Sequence, residues 1–211
     1  MDMTIAVALI LVVSYLLGCF NGAVLISKRI FHDDVRTHGS GNAGLTNFYR
    51  TYGARYALPV ILLDMGKTAA STMIGGYMFQ CLYEDWTLGV LVAGLGCIIG
   101  HVFPAFYGFK GGKGILAGSI LVIMLDWRMA LVAWGLFVLA VVLTRYISLG
   151  SITAASSVAV TAFFIYDRPL YIALAAIIAS LVVWSHRSNI VRLVRGNENK
   201  FKWHKDPPQE K

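Results

Sequence analysis

Between Asp2 and Lys28 the chain carries no charged residue, and comparable apolar stretches follow at 56–80, 86–107, 114–126, 129–145, 150–166 and 169–185. Runs of this kind leave few options. A bilayer core offers no water to hydrogen-bond the backbone, so a crossing segment must satisfy its own N–H and C=O groups. A helix does this with about 20 apolar residues. The expected fold class is therefore an all-α integral membrane protein of about seven transmembrane helices, with the short fourth run tilted or tucked inside the bundle. The first run, Thr4 to Ile26, is too long for a signal-peptide core and is followed, not preceded, by Lys28 and Arg29, which describes an uncleaved first span.

Composition agrees. Of 211 residues, 57% are hydrophobic and 14% charged, whereas a water-soluble domain carries roughly 25% charged residues. The formal charge is +7. Loop positions decide what that excess means. Lys28, Arg29, Arg36, Arg50 and Arg55 share one loop; Glu84 and Asp85 stand in the next; Lys110 and Lys113 follow; then Asp126 and Arg128; then Arg145; then Asp167 and Arg168; then a tail holding Arg187, Arg192, Arg195, Lys200, Lys202, Lys205 and Lys211. Cation-rich and cation-poor loops alternate. Under the positive-inside rule this puts the N-terminus outside and the C-terminus in the cytoplasm, and it accounts for the basic balance without nucleic acid. Trp86, Trp127, Trp134 and Trp184 are read as interfacial anchors. Cys19, Cys81 and Cys97 show no metal-ligand spacing and are read as small buried hydrophobes. The chain is read as one domain, 1–211, with an exposed basic tail from about residue 198.

Four polar regions on the cation-rich side carry chemistry. Gly39, Ser40, Gly41, Asn42, Gly44, Thr46, Asn47 and Arg50 form a loop of glycines, short donors and one guanidinium, suited either to an anion or to ordinary turns. Phe109-Lys110-Gly111-Gly112-Lys113-Gly114 sets two lysines around a glycine pair just before a helix, where lysine charge and helix dipole act together on an anion. It is not an ATP-binding loop of the Walker type, since Tyr107 and Gly114 occupy positions that require Gly and Ser or Thr. Arg145, Ser148 and Ser151 open another helix and could reach an anion or cap that helix. On a continuing helix His186, Asn189 and Arg192 share a face, fit to orient a hydroxyl or polarise a carbonyl, or else to form a snorkelling basic end. Asp64 and Lys67, one turn apart inside the second span, are expected to pair structurally.

Taken together, the stretches Gly39–Arg50, Gly100–Gly114 and His186–Lys200 resemble the membrane glycerol-3-phosphate acyltransferases that use acyl phosphate as donor. That family shows G-S-G-N-x-G-A-T-N-x-x-R, G-H-x-x-P followed by F-K-G-G-K-G, and H-x-x-N-x-x-R-L-x-x-G-T-E-x-K. Leu45 replaces the usual alanine and Asn197 the usual threonine. The resemblance implies transfer of a fatty acyl group to the 1-hydroxyl of glycerol 3-phosphate, giving lysophosphatidic acid and phosphate, with acyl phosphate, glycerol 3-phosphate and membrane lipid as partners and no cofactor or metal. It implies acyl-phosphate binding by Ser40, Asn42, Thr46, Asn47, Gly111, Gly112, Lys113 and Gly114, and glycerol 3-phosphate binding by Arg50, Lys110, Arg145, His186, Asn189 and Arg192. His186, Asn189, Ser148 and Lys113 are the expected catalytic set.

The donor is an activated anhydride, so no covalent enzyme intermediate is needed. No G-x-S-x-G elbow is present, and none of His32, His38, His101, His186 or His204 has the aspartate of an H-x-x-x-x-D pair. Substrate phosphate would help remove the hydroxyl proton, with His186 as general base the second option. A transporter for an organic phosphate is the alternative from another class, and it would need its site near the midplane.

Overall fold

The computed structural model describes residues 1–201. Ten α-helices follow one another: α1 Met3–Cys19, α2 Gly22–Ile30, α3 Leu45–Tyr52, α4 Ala57–Tyr83, α5 Trp86–Val102, α6 Ile115–Leu125, α7 Trp127–Thr144, α8 Ile147–Ile165, α9 Pro169–Ser185 and α10 Arg187–Val194. Single 3-10 turns lie at Val35–Thr37 and Ala105–Tyr107.

By length and composition five segments could cross a membrane, Met3–Ile30 (α1 with α2) and α4, α5, α7 and α8; α9 and α10 would add a sixth if counted as one broken span. The helix α6 has 11 residues, roughly 16 Å at 1.5 Å per residue, short of a full crossing. Outward faces bear Leu58, Leu62, Leu131, Leu143, Phe163 and Phe164, all exposed, as a lipid-facing surface would be.

The axis is α5, packed against α1, α4, α6 and α9, with Val90, Leu91, Ala93, Cys97 and Ile98 fully enclosed. Lipid supplies no hydrophobic drive between helices, so close approach through small residues does the work. A Cβ on Gly100 would overlap the main chain of Tyr15 in α1, and one on Gly89 that of Gly75 in α4.

Polar side chains start four helices: Asp2, Asn21, Asp85 and Asp126 cap α1, α2, α5 and α7 by accepting from backbone N–H groups. At the rim where α5 begins, Arg168 bonds Asp85 at 2.8 Å, Tyr171 donates to the same carboxylate at 2.5 Å, and Arg128 bonds Asp126 at 2.8 Å. Both arginines at that end are thus paired with a carboxylate.

Several sequence expectations change. The last helix does not continue: it breaks at His186 and turns by 58°. Trp134 sits in the middle of α7 against the bundle interior instead of at an end. Cys81 is exposed, while Cys19 and Cys97 are buried. Residues 198–201 fold back, with Phe201 N–H donating to the Arg145 carbonyl at 2.7 Å. Of the tail expected from about 198, residues 202–211 lie outside the described residues.

Candidate active site

Opposite that rim, a cleft of about 270 Å³ opens among α3, α6, α8 and α10. Three helix N-termini border it, those of α3 (Gly44, Leu45, Thr46), α6 (Gly114, Ile115, Leu116) and α8 (Ile147, Ser148). None has a side-chain cap. First-turn N–H groups have no partner within the helix, and each terminus carries partial positive charge, so the three converge as an anion-binding wall. Gly114 turns the chain into α6 at φ +85°, a left-handed conformation open to glycine.

Cations join the wall. Lys113 is half-buried and hydrogen-bonds the Asn189 side-chain oxygen. Burial, reinforced by Arg192 and Arg50 and opposed by Glu198, pushes its ammonium down to about 8. Arg192 donates through Nε to Glu198 at 2.6 Å, and the Arg50 guanidinium reaches the Asn199 carbonyl at 3.5 Å. Glu198 also accepts from Asn189 Nδ2 at 2.9 Å and from Ser148 Oγ at 3.0 Å. Burial alone would raise the Glu198 carboxyl; the bonds from Asn189, Arg192 and Ser148 outweigh it and hold the group below its usual range. With Lys113, Arg50 and Arg192 against Glu198, the cleft keeps a surplus of positive charge, which a phosphate would neutralise.

Ten of the expected catalytic and substrate-binding residues line this cleft: Ser40, Asn42, Thr46, Asn47, Arg50, Lys113, Gly114, Ser148, Asn189 and Arg192. Asn47 does so with its amide already committed. Its Nδ2 donates to the Val35 and His38 carbonyls and its Oδ1 accepts the Ser40 N–H, so it shapes the loop. The side chains of Ser40, Asn42 and Thr46 make no hydrogen bond recorded among the described residues.

Lys110, Gly111, Gly112, Arg145 and His186 do not line it. Gly111 N–H donates to the Val102 carbonyl and Gly112 N–H to the His101 carbonyl, both spent docking the hairpin on the end of α5. Lys110 is exposed and offers only its carbonyl, to Arg36. Arg145 ends α7 in a left-handed conformation with its side chain exposed. His186 is buried beside the cleft, its Nδ1 at 2.8 Å from the Val182 carbonyl. A carbonyl only accepts, so Nδ1 carries the proton and Nε2 is left as an acceptor.

Glu198 was missed as a site residue. Its signals were the glutamate of the third motif and an isolated acid in a basic stretch. Arg36 was missed too: its guanidinium joins Asp34 to the Tyr107 and Lys110 carbonyls, clamping two loops together. The floor of the cleft is formed by Asp64 and His101. Asp64 pairs with Lys67 at 3.0 Å, the structural pairing expected from their spacing.

A second cavity of about 210 Å³ continues from the first, sharing Gly114, Ile115, Leu116 and Phe137 with it. Its deeper walls are Leu121, Val122, Ala133, Trp134, Ala155, Val158 and Ile178. The one hydroxyl there, of Ser119, is turned to the Leu116 carbonyl at 2.7 Å. The molecule thus joins an anion cleft end to end with an apolar groove.

The family model described as glycerol-3-phosphate acyltransferase matches residues 8–196. The chain belongs to this family. Curated relatives in the family include glycerol-3-phosphate acyltransferases of Thermoanaerobacter sp. (strain X514), 38% identical with 90% of this chain and 93% of the relative covered, and of Shouchella clausii (strain KSM-K16), 39% identical with 89% and 92% covered. A family member of known structure, PlsY (YgiH), described as an integral membrane glycerol 3-phosphate acyltransferase, superposes in its glycerol 3-phosphate form with a TM-score of 0.83 at 32% identity, covering 93% of this chain and 96% of that one. Its lysophosphatidic acid form gives 0.79 at 31% identity, covering 93% and 95%.

Proposed function

We propose that this protein transfers a fatty acyl group from acyl phosphate to the 1-hydroxyl of sn-glycerol 3-phosphate, forming lysophosphatidic acid and phosphate in phospholipid synthesis. The observation that carries this reading is the continuity of the two cavities. A substrate with a phosphate head and a hydrocarbon tail fits both only where they meet, at Gly114, Ile115, Leu116 and Phe137.

The phosphoryl group of the donor sits at the N-termini of α3 and α6, with Ser40, Asn42, Thr46 and Lys113. Glycerol 3-phosphate enters from the side of Arg50, Asn189 and Arg192, which supply a second cationic pocket. The hydroxyl oxygen attacks the acyl carbon, the bond from that carbon to the phosphate oxygen breaks, and the departing phosphate takes the hydroxyl proton. Fixed N–H donors and cations stabilise the charge that develops. Asn189 orients the hydroxyl, while His186, with its bare Nε2, is buried beside the cleft. Glu198 holds Ser148, Asn189 and Arg192 in register.

In the membrane, the chain is a single domain whose seven membrane helices include α9 and the short α6, tucked inside the bundle, with its N-terminus outside and its cleft facing the cytoplasm of a bacterial inner membrane. Supporting this, Arg128 and Arg168 at the far rim are neutralised by Asp126 and Asp85, whereas the cleft side keeps surplus cations. An organic-phosphate transporter is disfavoured by the family and by a polar cleft at one end of the bundle.

Purified protein in detergent, given palmitoyl phosphate and glycerol 3-phosphate, should release phosphate and form lysophosphatidic acid without a second compartment. Binding of both substrates with no product over hours would sink the proposal.

A further inference from the structure

Beneath the cleft lies a group of buried polar side chains that the mechanism above does not use. Lys67 Nζ is 3.0 Å from the Gly18 carbonyl, 2.6 Å from the Phe20 carbonyl, 3.0 Å from Asp64 Oδ1 and 2.9 Å from His101 Nδ1. An ammonium is a donor only. The carbonyls and the carboxylate are acceptors, so the imidazole nitrogen facing Lys67 must be one as well. A proton on Nδ1 would face an ammonium that has no lone pair to accept it.

That leaves Nε2 as the ring's N–H. A second proton would place an imidazolium against the ammonium in a site where His101 is 3% exposed, and like charges at this range disfavour each other strongly. The charged and titratable groups facing the ring are Asp64 and Lys67 from α4 and, across the cleft, Lys113. Asp64 and Lys67 cancel, so the floor adds no net charge.

Nε2 has no hydrogen-bond partner among the described residues, and the ring lines the cleft with Ser40, Thr46 and Lys113. Gly112 lies over it so closely that a Cβ there would collide with Nε2. The glycine pair thereby gains a reason different from the one expected in the sequence. Gly111 and Gly112 spend their N–H groups on docking, and Gly112 leaves room above the imidazole.

We propose that His101 is a fixed, uncharged N–H donor to a phosphoryl oxygen of the bound acyl phosphate, held in that tautomer by the buried Asp64–Lys67 pair. The proposal rests on the acyl-transfer reading. The Nε2 proton stays on the ring throughout; the hydroxyl proton leaves with the phosphate. A neutral donor already aimed at the oxygen stabilises charge as it develops without reorganising, and it adds no further cation to retain the product phosphate.

The test is nuclear magnetic resonance on full-length protein labelled with ¹⁵N-histidine in detergent, with the His101 signals assigned by their loss in His101→Gln. Expected are an Nε2-protonated neutral ring across roughly pH 5 to 9 and a shift of the Nε2–H signal on saturation with inorganic phosphate. An Nδ1-protonated ring, a titration near the ordinary histidine value, or no response to saturating phosphate would overturn it.

Kinetics give a second arm. His101→Leu should lower kcat by about 100- to 1,000-fold with little change in KM for glycerol 3-phosphate. His101→Gln, whose amide N–H reaches toward the Nε2 position, should recover part of that loss. Equal losses in the Leu and Gln variants would count against the donor role. Failure of wild-type protein to form lysophosphatidic acid would refute the acyl-transfer reading instead, and the tautomer would still be measured.

Discussion

Filling the apolar groove halfway down should shorten the acyl chain that the protein can use. Along α6 the groove runs from Gly114 to Val122, eight residues and so about 12 Å deep at 1.5 Å per residue. That accommodates about nine methylenes of an extended chain, each advancing about 1.3 Å. Ala155 on α8 lies in the groove wall, one turn beyond Ser151 of the polar cleft. A phenyl ring there should close the lower half and strip about four methylenes of their contacts. At ~0.8 kcal/mol per buried methylene this is about 3 kcal/mol, or about two orders of magnitude in kcat/KM. The assay compares Ala155→Phe with wild type on butyryl, octanoyl and palmitoyl phosphate in detergent. Butyryl phosphate should be turned over comparably by both, palmitoyl phosphate about a hundredfold less well by the variant, and wild type should gain little beyond about ten carbons. A folded, monodisperse Ala155→Phe protein with an unchanged chain-length profile would refute the assignment of this groove to the acyl chain.

Further outcomes follow from the cleft and the packing. Lys113 has its ammonium pushed down to about 8; its charge is therefore lost as pH rises through that value, and KM for the anionic substrates should climb above about pH 8 in wild type but not in Lys113→Arg, if that variant binds. The sign for stability is the reverse. Protonated Lys113 is disfavoured in the fold relative to the unfolded chain, so the ligand-free protein should gain stability between about pH 8 and 10.5, measurable as a rising Tm. Glu198→Gln removes the charge and turns one of the two oxygens that accept from Ser148, Asn189 and Arg192 into a donor; a loss of about 1–3 kcal/mol is expected, seen as a lower Tm together with weaker glycerol 3-phosphate binding. Gly100→Val should force α1 from α5, because any Cβ meets the main chain of Tyr15; a cost of several kcal/mol, about 3 or more, should appear as loss of detergent-stable protein. Tyr171→Phe cuts the far-rim bonds to Asp85 and from Arg168 and should lower Tm by a few degrees, for about 1 kcal/mol, with kcat unchanged.

Helix positions were legible because each depends on local content. An apolar run reads the same wherever the chain carries it, and Asp2, Asn21, Asp85 and Asp126 announce their helices by capping them. The break at His186 was not legible. Residues 169–194 hold no proline or glycine after Pro169, and the turn there is accompanied by a ring bond to Val182 and a serine bond from Ser185 to the Lys113 carbonyl. Anion-binding character was legible in the loops as composition. Which donors remain available was not, because Asn47, Gly111 and Gly112 look like phosphate ligands until their bonds to distant carbonyls are seen.

Sequence alone therefore determined a helical membrane protein with cationic, glycine-rich loops on one side, and through three motifs it pointed to the acyl transfer that the family comparison supports. Only the tertiary structure decided that Glu198 gathers Ser148, Asn189 and Arg192, that Gly112 clears the face of His101, and that the anion cleft opens into an apolar groove. The physical reason is that burial and charge pattern are properties of a segment, whereas the direction of a hydrogen bond and the sharing of a cavity belong to pairs of segments far apart in the chain.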